Sequence, residues 1–111
     1  MAGFFLDSKP EFRKCEIFSK PAKTGLPAPL HQDNFLWALK NNNGITFWIA
    51  LDKSNKNNGG LSYVKSSHKL GLLKHENSYM PGTSQMISKK LAKKKRLSNI
   101  VTPSLKPGDM L

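Results

Sequence analysis

A chain of 111 residues has room for one domain, and its 38% apolar content, below the ~45–50% usual for globular domains, leaves only a modest core. No apolar run approaches the ~18–20 residues that cross a bilayer, and Met1 to Lys9 have neither a basic segment nor an apolar stretch of secretory length, so a membrane span is excluded and the cytoplasm is the expected location. The net charge of +11 favours polyanions in general, yet 16 of the 18 basic residues are lysine and only Arg13 and Arg96 offer the fork that base readout uses.

In chain order, residues 12–20, with Cys15, Ile17 and Phe18, predict a short strand, and Cys15, the single cysteine, reads as a buried or incidental thiol. Residues 20–29 hold Pro21, Gly25, Pro27 and Pro29 and form a loop, because proline breaks any ladder. Residues 44–52, GITFWIALD, are rich in β-branched and aromatic side chains and predict a strand half-buried on both faces, with Ile45, Phe47, Ile49 and Leu51 opposite Thr46, Trp48 and Ala50. The polar stretch 53–60 is a loop ending in Gly59-Gly60, and Leu61 to Val64 forms a second strand joined to the first across it. Residues 84–98, with Ile87, Leu91 and Leu97 among lysines, fit a short exposed helix. The run from Lys89 to Arg96 then reads as a solvated helix face, or else as a patch for an anionic substrate or a nucleic acid. Lys106-Pro107-Gly108-Asp109 is a turn that launches a further apolar run.

The chemistry-bearing pattern is His31-Gln32-Asp33. Residues i and i+2 project to one side of an extended chain, so an imidazole and a carboxylate aim at one point. With a third protein ligand from elsewhere, such a pair makes the two-histidine, one-carboxylate triad that holds iron(II) and leaves positions open for cosubstrate and dioxygen. Alone, H-x-D is a weak signal, common by chance.

Its surroundings are more specific. Ile17-Phe18-Ser19-Lys20-Pro21, a glycine-containing loop and Leu30-His31-Gln32-Asp33, then Thr46-Phe47-Trp48-Ile49-Ala50-Leu51-Asp52, then Asn58-Gly59-Gly60-Leu61 through Ser67-His68-Lys69-Leu70-Gly71, follow one another as in the phytanoyl-CoA dioxygenase family, which residues 17–71 resemble. Lys106-Pro107-Gly108-Asp109-Met110-Leu111 resembles that family's lead into the strand bearing the distal iron histidine.

The resemblance implies a mainly β fold, a double-stranded β-helix of jelly-roll or cupin-like type, incomplete in this chain. It implies an iron(II) enzyme with 2-oxoglutarate as cosubstrate and dioxygen as oxidant, acting on a small organic molecule or an acyl thioester; His31 and Asp33 match two metal ligands, and Trp48 and Trp37 match cofactor-side tryptophans that serve equally well as core aromatics. A retained Asp33 points to hydroxylation, since related halogenases carry Ala or Gly there. His68 matches a structural histidine of the family, whereas His75, beside Glu76, reads as an exposed side chain. Lys65-Ser66 departs from the family's Pro-Gly, so the turn there is expected to differ. Residues 1–111 are thus expected to be the central portion of one dioxygenase domain, with the distal histidine and the 2-oxoglutarate-binding arginine beyond residue 111 and little activity in this piece alone. The rival readings are a basic nucleic-acid module using Lys89 to Arg96, although nucleic acid is not the expected partner, and a degenerate, non-catalytic jelly roll.

Overall fold

Four apolar side chains far apart in the chain, Val64, Leu73, Ile87 and Leu97, meet in one buried cluster in the computed structural model, which describes residues 2–40, 43–81 and 83–111. Leu30, Leu91 and Ala92 pack against it. Its small size follows from the low apolar content, and residues 7–28 are exposed throughout. The strand predicted at residues 12–20 does not form, and Cys15 is exposed rather than buried.

The described secondary structure consists of short pieces, beginning with helix α1 (Ala2–Leu6), in which four strands are interspersed with α-helices and 3₁₀ turns, and its sheets are two antiparallel pairs. In one, β1 (Tyr63–Val64) pairs with β4 (Ile100–Val101). The second is a hairpin of β2 (Glu76–Met80) and β3 (Thr83–Met86), with an irregular register between Asn77 and Met80.

The apolar stretch predicted as the clearest strand is extended and bridged rather than a full strand. Trp48 and Leu111 exchange both backbone hydrogen bonds, at 2.9 and 3.0 Å, and Ser54 and Leu105 do the same at 3.0 and 2.8 Å. Between them the Ala50 N–H donates to the Asp109 carbonyl. Residues 48–54 and 61–65 therefore do not form a hairpin with each other; both lie along the same returning segment, 99–111. Nine positions separate Ser54 from Tyr63 but only four separate Val101 from Leu105, so five residues are looped out between the two pairings. That loop is a 3₁₀ turn, Lys56–Asn58, closed by reciprocal Asn55–Asn58 hydrogen bonds and ended by Gly59 at φ 82°. Gly60 has no room for a side chain there, since a Cβ would sit 2.7 Å from the Asn55 carbonyl oxygen. Along this ribbon Ala50 is 1% exposed, but Ile49 and Leu51 are 55% and 67% exposed, so the expected half-burial of that side holds at Ile45 and Phe47 and fails at Ile49 and Leu51.

The helix expected within residues 84–98 is α3 (Lys89–Lys94), capped by Ser88, whose hydroxyl accepts from the Leu91 N–H. It is docked rather than free: Ile87 before it and Leu97 after it are buried, and Leu91 and Ala92 face the core. The lysines and Arg96 are exposed. At the other end, Pro107 and Gly108 (φ 89°) occupy the centre of a turn closed by the Asp109 N–H on the Lys106 carbonyl.

Ser66 stands where the resembling family carries glycine, and its φ is 62°, in the left-handed region that disfavours a side chain. A Cβ there costs about 1–2 kcal/mol, and glycine loses about 0.5–1 kcal/mol of this through chain entropy. Ser66→Gly is expected to raise stability by about 0.5–1 kcal/mol, read as a higher denaturation midpoint with unchanged slope; a lower midpoint would show that the serine is not strained.

Candidate metal centre

The segment that leads to His31 is tied to the core at its base. The Leu30 side chain packs on the buried cluster, and its carbonyl accepts the Ile87 N–H at 2.7 Å. Residue 31 therefore emerges at the core's edge, where His31 helps line a cavity of about 30 Å³ with Leu30, Gln32, Val64, Leu73 and Ile87 among its walls. Gln32 is extended, with φ −123° and ψ 125°, and Asp33 opens the short helix α2 (Asp33–Trp37). The extended residue places its two neighbours on one side. His31 Nε2 and Asp33 Oδ1 lie 3.5 Å apart.

Each member of the pair has an outer partner. His31 Nδ1 lies 2.8 Å from the Pro29 carbonyl oxygen, to which its N–H donates, so the ring nitrogen that faces Asp33 is Nε2. Asp33 Oδ2 accepts from the Thr46 hydroxyl at 3.2 Å. The Asp33 carboxylate raises the His31 pKa above its ordinary 6.5, against a lowering from burial, with the Pro29 carbonyl adding to the rise. Reciprocally, His31 lowers the Asp33 pKa below 3.8 against the opposing effect of burial, helped by Thr46.

Gln32 points away from the pair. Its side-chain amide donates to the Gly71 carbonyl at 2.8 Å and its side-chain oxygen accepts from the Leu73 N–H at 2.7 Å. Its backbone N–H donates to His75 Nε2 at 2.8 Å, while His75 Nδ1 lies 2.8 Å from the Leu73 carbonyl oxygen. Phe35, on α2, stacks on the His75 ring with centroids 4.2 Å apart. His75 is 6% exposed, which corrects the reading of it as a surface side chain. Its flanking Lys74 and Glu76 are exposed, and that polar context hid a position whose burial comes from residues about forty positions upstream.

A shared cation fits this donor set. Adjacent donors on an ion with ligand distances of about 2.1 Å stand roughly 3 Å apart, close to the 3.5 Å between Nε2 and Oδ1. An imidazole whose other nitrogen is held by a backbone carbonyl, beside a carboxylate held by a hydroxyl, is also the outer-shell arrangement that orients metal ligands. Among the described residues no group of three His, Cys, Asp or Glu side chains gathers to hold an ion, so His31 and Asp33 supply two donors. The side chain of His68 is exposed on the 3₁₀ turn Ser67–Leu70.

Neither tryptophan lines the cavity at His31. Trp37 ends α2, half-buried, with its ring near Gly44 and its carbonyl accepting from Arg13. Trp48 is half-buried in the ribbon, paired to Leu111. The residues missed from sequence are Thr46, Gln32 and His75. Period-2 geometry supplied a signal for Gln32, which had to face away from its neighbours; Thr46 and His75 carried none.

The linkage sets a pH window for the metal-free chain. His31 is raised, so its contribution to stability is full below 6.5 and lost as pH rises through its folded value; Asp33 is lowered, so its contribution is present above 3.8 and lost as pH falls through its folded value. The pair stabilises most between 3.8 and 6.5. Asp33→Asn is expected to lower Tm more at about pH 5.5 than at about pH 9, measured by thermal melts in chelator; an equal loss at both would dissociate the pair from stability.

No curated protein and no solved structure matches the chain. A family model described as phytanoyl-CoA dioxygenase matches residues 8–111, a span that contains His31, Asp33, Thr46 and both tryptophans. With all but its first seven residues matched, the chain belongs to the phytanoyl-CoA dioxygenase family.

Proposed function

We propose that the chain carries part of an iron(II)- and 2-oxoglutarate-dependent dioxygenase that hydroxylates a small organic substrate or an acyl thioester. Family membership supports a dioxygenase-type oxidoreductase. The observation that carries the finer reading is the convergence of His31 Nε2 and Asp33 Oδ1, each with its outer atom already engaged by Pro29 or Thr46.

In this reading His31 and Asp33 hold the iron. Bound iron(II) with 2-oxoglutarate would supply the oxidising power to insert one oxygen atom of dioxygen into a substrate C–H bond, the other ending in succinate as 2-oxoglutarate loses carbon dioxide. The Pro29 carbonyl holds the imidazole in the tautomer whose Nε2 lone pair is free to bind, and Thr46 orients the carboxylate. The Asp33 side chain fills the position that halogenating relatives leave to halide, which favours hydroxylation. Trp37 lies one helical turn after Asp33, on the same side of α2, and Trp48 lies two residues after Thr46; in this reading both are the candidates to flank the cosubstrate.

The third ligand and the cation for the far carboxylate of 2-oxoglutarate are proposed to come from residues outside 1–111, in a jelly-roll domain of which this chain is the central portion. Support comes from the ribbon, whose Ile49 and Met110 are bridged to each other and exposed at 55% and 40%, an apolar side of the kind that a facing sheet covers in a sandwich.

Anaerobic titration with iron(II) at about pH 7.5, where the metal displaces any proton on His31 Nε2 into solvent, tests the ligand pair. Wild-type chain is expected to bind, His31→Ala and Asp33→Ala to lose at least about tenfold in affinity, and His68→Ala to bind as wild type. Equal binding by all four would reject the site. Succinate release from 2-oxoglutarate by residues 1–111 is expected to be negligible, and turnover with stoichiometric iron would overturn the central-portion reading.

A further inference from the structure

We propose that His75 is a positioning residue for the His31–Asp33 pair, acting through the backbone amide of Gln32 and the ring of Phe35. The inference rests on the iron reading for its purpose and on the geometry for its existence.

A buried histidine is most often a satisfied core residue, and His75 is satisfied. What distinguishes it is where its contacts go. Nε2 accepts from the amide of the one residue between the two proposed ligands, and the ring face carries Phe35, two residues beyond Asp33 on the same helix. Nδ1 is anchored on the Leu73 carbonyl, two residues before His75 itself, so the ring is braced against its own strand of chain while it grips residues 32 and 35. The Gln32 side chain closes the same contact with two further bonds to residues 71 and 73.

The effect on the pair is mechanical. His31 and Asp33 share a side only while Gln32 stays extended, and Gln32 sits at the boundary with a helix of five residues, which is too short to hold its own first turn. A helical turn at residue 32 would swing the two side chains apart. The bond from the Gln32 N–H to His75 opposes that turn directly, because it fixes the amide's direction. With Nε2 accepting from an amide and Nδ1 donating to a carbonyl, the ring serves both hydrogen bonds at once.

The test separates this bond from bulk. In His75→Asn the side chain still reaches the Leu73 carbonyl but is too short to accept from Gln32; in His75→Gln the side-chain oxygen reaches the Nε2 position. Two readouts are taken on the whole chain. Without metal, amide exchange of Gln32 and residual dipolar couplings of residues 31–33 are measured by NMR. With cobalt(II), affinity and the visible ligand-field spectrum are measured.

His75→Asn is expected to speed Gln32 exchange at least about tenfold relative to Ala50, to alter the couplings at 31–33, and to weaken cobalt(II) binding about 10–100-fold. His75→Gln should return all of these to within about threefold of wild type, a rescue that loss of core packing would not show. Unchanged couplings in a folded His75→Asn, or cobalt(II) affinity and spectrum equal to wild type while the amide is released, would overturn the proposal. If His31→Ala binds cobalt(II) as wild type does, the iron reading fails instead, and the metal-free couplings alone decide whether His75 sets the geometry.

Discussion

The extended peptide at Gln32 is held from three directions, and the rest of the site depends on it. Leu30 anchors the chain just before it in the core, the Gln32 side chain bridges to residues 71 and 73, and the Gln32 amide is received by a buried imidazole. These constraints hold the peptide extended, and in that state an imidazole and a carboxylate two residues apart face each other. The arrangement separates duties by side: the outward residues 31 and 33 carry the chemistry, and the inward residue 32 carries the attachment. Backbone alternation alone produces that division.

A second constraint comes from the returning segment, 99–111. By pairing with residues 61–65 and then with 48–54, it lays two separate extended stretches end to end and expels the intervening loop, which Asn55, Asn58 and Gly59 shape into a compact turn. Residue 46, just ahead of the paired stretch, is thereby delivered to Asp33. The pairing also decides burial. Ala50, a small side chain, takes the closed face, and the larger Ile49 and Leu51 are left on the open one. This is a reversal of what hydrophobicity alone suggests, and it arises because register, set by the ladder, moves whole faces at once.

Charge is partitioned in the same spatial sense. The densest cationic run lies on α3, where Leu91 and Ala92 turn to the core and the lysines turn to water. The candidate centre, by contrast, is a single imidazole–carboxylate couple whose members raise and lower one another's proton affinity and are each braced by a neutral group, a carbonyl or a hydroxyl. A neutral brace orients without competing for the cation, which is why carbonyls and hydroxyls serve as outer partners of metal ligands. The high net charge of the chain is therefore a property of its surface and has no part in the pair's geometry.

Much of this was legible before folding. The order H-Q-D, W-I-A-L-D, S-H-K and P-G-D carried the family, period 2 carried the shared side of His31 and Asp33, and Pro107-Gly108 carried its turn, because each depends on neighbours in sequence or on backbone geometry within a few residues. The partners of those residues were not legible. Whether 48–54 met 61–65 or 105–111, whether His75 lay in water or under Phe35, and whether Thr46 reached Asp33 were settled by contacts spanning 13 to 63 residues, along with the exposure of Cys15 and of the 12–20 stretch. Local pattern sets which atoms a site contains; only chain closure sets which polar groups lose water together, and that loss is what fixes their pairing.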